Sequence, residues 1–403
     1  MKKKIWQIGS SLHPLVEKFT VMDEYLVDQK LLAYDIKASM AHAKMLASIK
    51  IISKKELVIL KKALQEILTL WKKDKFKISQ DQEDSHTAIE QYITNKYGEV
   101  GKKIHTGRSR NDQVLVMMRL FAKERIEKII LEIKNLIKEF DVLIKKNKNI
   151  PMPGYTHMQK AMPTTVDTWL GAYREALSDT LINLGATEKQ IDQNPLGSAA
   201  GFGISNLKLD RDYTSKELKF KKTQKNPIYC AFSRGYFENI ILQSLSQIMI
   251  VFSRFASDMM LFTTQEFDFF SLPNNFTTGS SIMPQKRNYD LFEIMRANAR
   301  VFTSYQLQIQ EIISGLGAGY HRDFSCIKKP FVSGVELCEI SIDLMVEVIK
   351  NFKIKQKNLE NAMTPDLYLT EEVYKLVSQG MSFRDAYVEV KEKIYAENKD
   401  KTI

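Results

Sequence analysis

The chain has 403 residues, 44% of them hydrophobic, which is ample for a large packed core and excludes an intrinsically disordered chain. Seventeen glycines and ten prolines are few for this length, so long helices are favoured over turn-rich sheets. The net charge is +11, but only 13 of the 59 basic residues are arginines. The lysines are spread along helical patterns, with no basic block interleaved with aromatics. That favours a lysine-rich solvated surface over a nucleic-acid or membrane partner, and it suits a small anionic substrate.

Length alone suggests two or three domains. In chain order, residues 1–105 read as a region of shorter helices, with Leu57, Leu60, Leu64, Ile67, Leu68 and Trp71 at helical spacing. Ile126, Ile129, Ile130, Ile133, Leu136, Ile137, Phe140, Leu143 and Ile144 then form a wide apolar stripe at helical period. No Pro or Gly falls between Asn111 and Ile150, so one helix of about ten turns is expected there, broken by Pro151. Further long helices are expected from Tyr236 to about Phe270, from Tyr289 to Ile313 and from Val332 to Ile349. The first of these is apolar on most faces and needs neighbours to bury it.

No period-2 strand pattern and no internal repeat is found. The expectation is an all-α chain of three helical domains, 1–105, 106–350 and a short 351–403, with a long-helix bundle at its centre. The three cysteines, Cys230, Cys326 and Cys338, lack metal-ligand spacing, and their low odd number points to a reducing compartment. Met1 to Lys4 is not followed by an apolar leader, so a cytoplasmic location is expected.

Four segments carry chemistry. TTGSSIMPQKRN, Thr277 to Asn288, joins a Gly-Ser-Ser turn to Lys286 and Asn288. A serine can take a proton, and a lysine and an amide can hold the charge that develops. The plainer reading is a turn capped by Ser281, with Lys286 as a solvated charge. HTGRSRNDQ, His105 to Gln113, puts Ser109, Arg110 and Asn111 at the start of the long helix, where they can cap it or present donors to a carboxylate. MPGYTHMQ places His157 in a turn after Pro151 and Pro153, where it can serve as acid or base or simply as a structural histidine; His86 and His105 share that ambiguity. LGAGYHRDFSCIKK, Leu316 to Lys329, reads as a polar loop near a glycine hinge, either a carboxylate clamp or a solvated loop.

Taken in order, these segments resemble the fumarase/aspartase superfamily of lyases. The resemblance runs through LAYDIKASMAHAKML, EDSHTAIE, GKKIHTGRSRNDQ, MPGYTHMQKAMPTT, NPLGSAAG, GSSIMPQKRN and SFRDAY, most of the chain. GSSxMPxKxN is common to the superfamily, whereas HTGRSRNDQ and PGYTH followed by Gln are similar to its argininosuccinate lyase family.

The resemblance implies an all-α homotetramer whose active sites each draw on three subunits, with argininosuccinate as substrate and no metal or organic cofactor. By it, Ser280 is the base, Lys286 and Asn288 stabilise the aci-carboxylate, and His157 supplies or positions the proton for the leaving nitrogen. Glu293 would orient His157. Ser109, Arg110, Asn111 and Thr156 would hold carboxylates, and Asp84, His86, Tyr320 and Lys328 would contact substrate or support the pocket. The sequence departs from the family pattern at Arg287, Tyr289 and Ser325, where lysine, proline and glutamine are usual, and the family's N-terminal Asn-x-Ser is missing, with Glu24 lying about there. Rival readings are a relative acting on another N-succinyl compound such as adenylosuccinate, a non-catalytic crystallin-like protein, and a basic nucleic-acid-binding helical protein.

Overall fold

The computed structural model describes residues 13–399; the Met1 to Lys4 start lies outside them. Helices dominate. A short α1 (Pro14–Val21) precedes α2 (Glu24–Ser48), α3 (Lys54–Lys72) and α4 (Ser85–Tyr97). Ser53 and Glu56 close a capping box at the start of α3, with Glu56 N–H donating to Ser53 Oγ at 3.2 Å and Ser53 N–H to the Glu56 carboxylate at 2.7 Å. Leu60, Leu64 and Ile67 of the expected stripe are fully buried.

The long helix α5 (Arg110–Lys146) has 37 residues, and its stripe Ile126, Ile129, Ile133, Leu136 and Phe140 is buried. It stops short of Ile150. Asn149 adopts a positive φ of 63°, and a residue preceding Pro151 is held away from helical geometry.

A few short strands accompany the helices: among the described residues there are four two-stranded ribbons. β1 (Pro151–Thr156) and β2 (Gln159–Thr165) form an antiparallel hairpin with an irregularity between Pro153 and Tyr155. Two prolines and Gly154 erase the alternating pattern, and proline is tolerated on a ribbon whose edges are open.

Next comes α6 (Val166–Ile191), a long helix outside the expected set. Its Val166, Leu170, Leu177, Leu184 and Ile191 are all fully buried, and the buried Thr180 and Thr187 interrupt the apolar seam in its second half. β3 (Gln193–Asn194) pairs in parallel with β4 (Lys222–Thr223), on either side of α7 (Arg211–Glu217).

The helix expected over 236–270 is instead α8 (Pro227–Phe262), broken by a turn at Arg234 (φ −69°, ψ 127°) and Gly235 (φ 78°, ψ −38°). These are type II turn values, which explains why helical periodicity becomes readable only from Tyr236. At the other end the chain leaves the helix at Thr263 and closes back, Phe269 N–H donating to Phe262 O at 2.9 Å. α8 is apolar and long enough to cross a membrane, yet half of its most apolar stretch is buried within the chain, as in the core helix of a folded domain.

The remaining elements are β5 (Phe270–Ser271), β6 (Thr278–Gly279), β7 (Arg287–Asn288), α9 (Asp290–Ile313), α10 (Lys328–Lys350), β8 (Lys353–Ile354), α11 (Gln356–Asn361), α12 (Leu369–Ser378) and α13 (Phe383–Lys399). α9 and α10 fall where the periodicity places them.

Two compact units result. The first comprises Met1–Glu132, Thr180–Met249 and Asn298–Ser341, and part of its core is Leu32, Ile36, Leu46, Leu64, Ile89 and Ile93 from α2, α3 and α4. The second comprises Ile133–Asp179, Ile250–Ala297 and Ile342–Ile403. Trp169 anchors it, stacked on Phe270 at 4.9 Å and on Phe255 at 5.8 Å. Its indole N–H donates to Asp258 at 2.9 Å, so the polar edge of the ring is satisfied. Several long helices also carry large apolar side chains outward: Leu131, Val142, Ile182, Ile294, Leu307 and Ile340 are each more than half exposed.

Candidate active site

The residues singled out from the sequence divide between the two units. In the second, β6 and β7 pair antiparallel, Gly279 opposite Arg287, and hold the loop 280–286 as a hairpin tip. Ser280 Oγ accepts two backbone N–H groups, from Ile282 at 3.2 Å and Met283 at 3.0 Å. Two donors aimed at one hydroxyl oxygen favour its anionic form, which a serine needs before it can act as a base. Lys286 is exposed, and its side chain makes no ion pair with another described residue; its backbone N–H donates to Met283 O at 3.0 Å. Asn288 is half-buried in β7. Tyr289 follows: its hydroxyl accepts the Leu272 N–H at 3.2 Å, and its ring packs on Phe292. A tyrosine here therefore pins the end of the hairpin. Thr278 completes the anchor by donating to Asp290 in the first turn of α9.

His157 and Met158 form the two-residue tip of the β1–β2 hairpin, with φ of 53° and 62°. Both positive values are those of a type I′ turn, which usually takes Asn-Gly. Side chains with a Cβ cost roughly 1 kcal/mol each in this conformation, and strain of this kind gathers at functional positions. His157, Met158 and the adjoining Thr156 are exposed. Glu293, in the first turn of α9, is exposed as well. Within the chain, His157 and Glu293 form no hydrogen bond or ion pair with one another.

The first unit holds the rest. Ser109 caps α5: its Oγ accepts the Asn111 N–H at 3.2 Å, and its own N–H donates to Asp112 at 2.8 Å. Asp84 caps α4 by accepting the Thr87 N–H at 2.8 Å. Arg110 lies across that cap, 3.2 Å from Asp84 and 3.0 Å from Glu83, and donates to Thr87 Oγ1 at 2.8 Å. Capping and site formation thus coincide here. Burial pushes the Asp84 carboxyl up, against the pull of Arg110.

His86 stacks on His105 with ring centroids 3.5 Å apart. Burial holds both rings well below the usual histidine range, helped by the Arg108 guanidinium. With Glu90 they place one ligating atom each within 4.8 Å of the others, but Arg108 and Arg110 oppose a cation at that point. Tyr320 lies 5.3 Å beneath the Arg234 guanidinium, which also donates to Phe324 O at 3.2 Å. Lys328, 2% exposed, pairs with Asp28 at 2.6 Å and Glu24 at 2.9 Å. The two carboxylates outweigh burial and hold its ammonium above the usual lysine range. Beside it is a cavity of about 630 Å³ whose lining includes Glu24, Arg322, Ser325 and Lys328.

A polar stripe on α2 received no role from the sequence, although Asp35, Ser39 and His42 lie within LAYDIKASMAHAKML. Asp28, Asp35, Ser39 and His42 recur at helical spacing and are fully buried. Asp35 pairs with Arg108 at 3.1 Å and accepts from Ser85 at 2.7 Å and Gln113 at 2.6 Å. Acids seven apart on an otherwise apolar face were the available signal. Arg234 was also passed over; its signal was the glycine beside it, inside an apolar helix.

The sequence matches the model of the Lyase family over residues 9–302. Argininosuccinate lyase of Thermotoga neapolitana is 42% identical over 400 residues, which cover 99% of this chain and 100% of that relative. The chain belongs to the argininosuccinate lyase family. The family's enzyme from Sorangium cellulosum is 37% identical, over 98% of this chain and 92% of its own. The crystal structure of EDDS lyase in complex with formate superposes with a TM-score of 0.80, covering 97% of this chain and 78% of its own at 22% identity. That likeness shows a common fold. The resemblance inferred from GSSIMPQKRN and HTGRSRNDQ is therefore shown over nearly the whole length.

Proposed function

We propose that the chain cleaves argininosuccinate to L-arginine and fumarate by β-elimination, in arginine biosynthesis in the cytoplasm. The observation that carries this reading is the pair of backbone N–H groups on Ser280 Oγ. As an alkoxide, Ser280 takes the Cβ proton of the succinyl group. The electron pair of that C–H bond moves into the neighbouring carboxylate as an aci-carboxylate, held by the Lys286 ammonium and the Asn288 amide. Collapse of this dianion forms the C=C bond of fumarate and breaks the C–N bond. A proton supplied or positioned by His157 reaches the departing guanidinium nitrogen. Ser109, Arg110, Asn111 and Thr156 bind substrate carboxylates, with Glu83 and Asp84 fixing the plane of the Arg110 guanidinium. Asp84, His86, Tyr320 and Lys328 shape the substrate end of the pocket.

The working form in this reading is a homotetramer in which each site takes residues from three chains. Two features support it. His157 and Glu293 reach the surface unpaired with one another, and the outward apolar residues of the long helices need a covering that the described residues do not provide. The test is ultraviolet absorbance of fumarate after argininosuccinate is added to purified protein, with Ser280→Ala as control. Fumarate should form with the unaltered chain and fall by about 10²–10⁴-fold in the variant. No fumarate from folded protein would defeat the assignment.

A further inference from the structure

Lys328 opens α10, with Lys329 beside it and no acidic residue in the first turn. A helix start carries unpaired N–H groups and the positive end of the dipole, so two lysines there leave a strong demand for anions. Two carboxylates answer it at Lys328, and they are not equivalent. Asp28 is fully buried, 2.6 Å from Nζ, and its other oxygen accepts the Ser85 N–H at 3.1 Å. It is locked from both sides. Glu24 lies 2.9 Å from the same ammonium with 15% of its side chain exposed. It lines the cavity of about 630 Å³ together with Arg322, and one of its oxygens is 3.6 Å from that guanidinium. Asp28 is thus the enclosed partner of Lys328, and Glu24 is a second carboxylate on its cavity side.

We propose that Glu24 is an internal stand-in for a substrate carboxylate: it occupies Lys328 and Arg322 in the unliganded chain, yields to a small dicarboxylate entering the cavity, and so sets the affinity of the site. The inference rests on the reading of Lys328 as a substrate contact. Any ligand carboxylate must first break the Glu24 pairs, and their free energy is subtracted from its binding. Because Asp28 stays in place, Lys328 remains charged when Glu24 swings away.

The test uses the full chain with Glu24→Gln and Glu24→Ser, with folding checked by thermal melting. Fumarate binding is titrated calorimetrically, which requires no turnover, and KM and kcat are measured with argininosuccinate. The expected result is a Kd for fumarate and a KM for argininosuccinate each lowered about tenfold, with kcat changed less than about twofold. Glu24→Asp keeps the charge on a shorter arm and should fall between; it also serves as the readable variant should the neutral ones fold poorly. A Kd that is unchanged or weaker in the folded variants overturns the proposal, as does the absence of fumarate binding throughout. Tighter fumarate binding without turnover of argininosuccinate by the unaltered chain would sink the substrate assignment while displacement stands. Turnover with unmoved Kd and KM would sink displacement alone.

Discussion

Asp112 accepts the backbone N–H of Gly197 at 2.8 Å, tying the first turn of α5 to the NPLGSAAG loop 85 residues away. The same carboxylate accepts from Ser109 at 2.8 Å and from Ala199 at 3.2 Å. Burial pushes its carboxyl up to about 6, so it is ionised at pH 8. In Asp112→Asn an amide NH₂ faces N–H donors and the charge-assisted bonds are lost. The expected cost is about 2–3 kcal/mol at pH 8, read from urea unfolding midpoints. A variant as stable as the unaltered protein would show that the loop is held by other means.

His42 is buried, with Nε2 2.9 Å from Thr106 O, and burial first and then Arg108 hold its pKa down to about 3. The unfolded chain binds this proton near the ordinary histidine value of 6.5, while the folded chain does not. The stabilisation is therefore complete above about 6.5 and is lost as pH falls toward 3. Between pH 7 and pH 5 this one group removes about 2 kcal/mol. His42→Gln keeps a donor for Thr106 but cannot titrate, so it should lose that much less over the interval. Equal pH slopes for both proteins would contradict the assignment.

Gly235 has no room for a methyl group. A Cβ there would stand 2.4 Å from Ile313 Cγ2 and 2.7 Å from Ile327 Cδ1, at a φ of 78°. The turn also aims Arg234 at Tyr320, and Glu238 secures it by accepting the Gly235 N–H at 2.6 Å. Gly235→Ala should destabilise by about 3 kcal/mol and lower activity, because Ile327 adjoins Lys328. Differential scanning calorimetry beside a fumarate assay would check both, and an unshifted melting temperature would refute the steric argument.

Sites shared among chains make a separate prediction. Ser280→Ala and His157→Asn chains, each inactive alone, should recover activity when unfolded and refolded together. If the two residues of one site come from different chains, a 1:1 mixture has both intact in about a quarter of its sites. No recovery in tetramers verified as mixed by mass spectrometry would argue against shared sites.

How much could be read beforehand depended on how each element buries itself. α5, α9 and α10 show broad apolar stripes, so their positions were legible. α6 was not, because in its second half the buried seam is interrupted by Thr180 and Thr187. The β1–β2 hairpin was hidden by Pro151, Pro153 and Gly154, which remove alternation and leave only its turn readable. At the candidate site, Ser280, Lys286 and His157 announce themselves by chemistry and spacing. The N–H groups of Ile282 and Met283 do not, since any sequence supplies them and only the loop conformation aims them. Asp28 was missed for the opposite reason: on a buried face its meaning comes from Lys328, which pattern reading along one helix never meets.

That pair joins positions 300 residues apart. At a synthesis rate of roughly 5–20 residues per second, Asp28 is added to the chain about 15–60 s before its lysine exists. The unit that contains both is threaded from three separate stretches of chain, the last ending at Ser341. It cannot close while the message is still being read through α9, and a nascent chain halted there would hold an acidic cavity wall with nothing to answer it. The same ion pair that organises the pocket therefore makes folding of the first unit a late event, finished only after the chain has been made into α10.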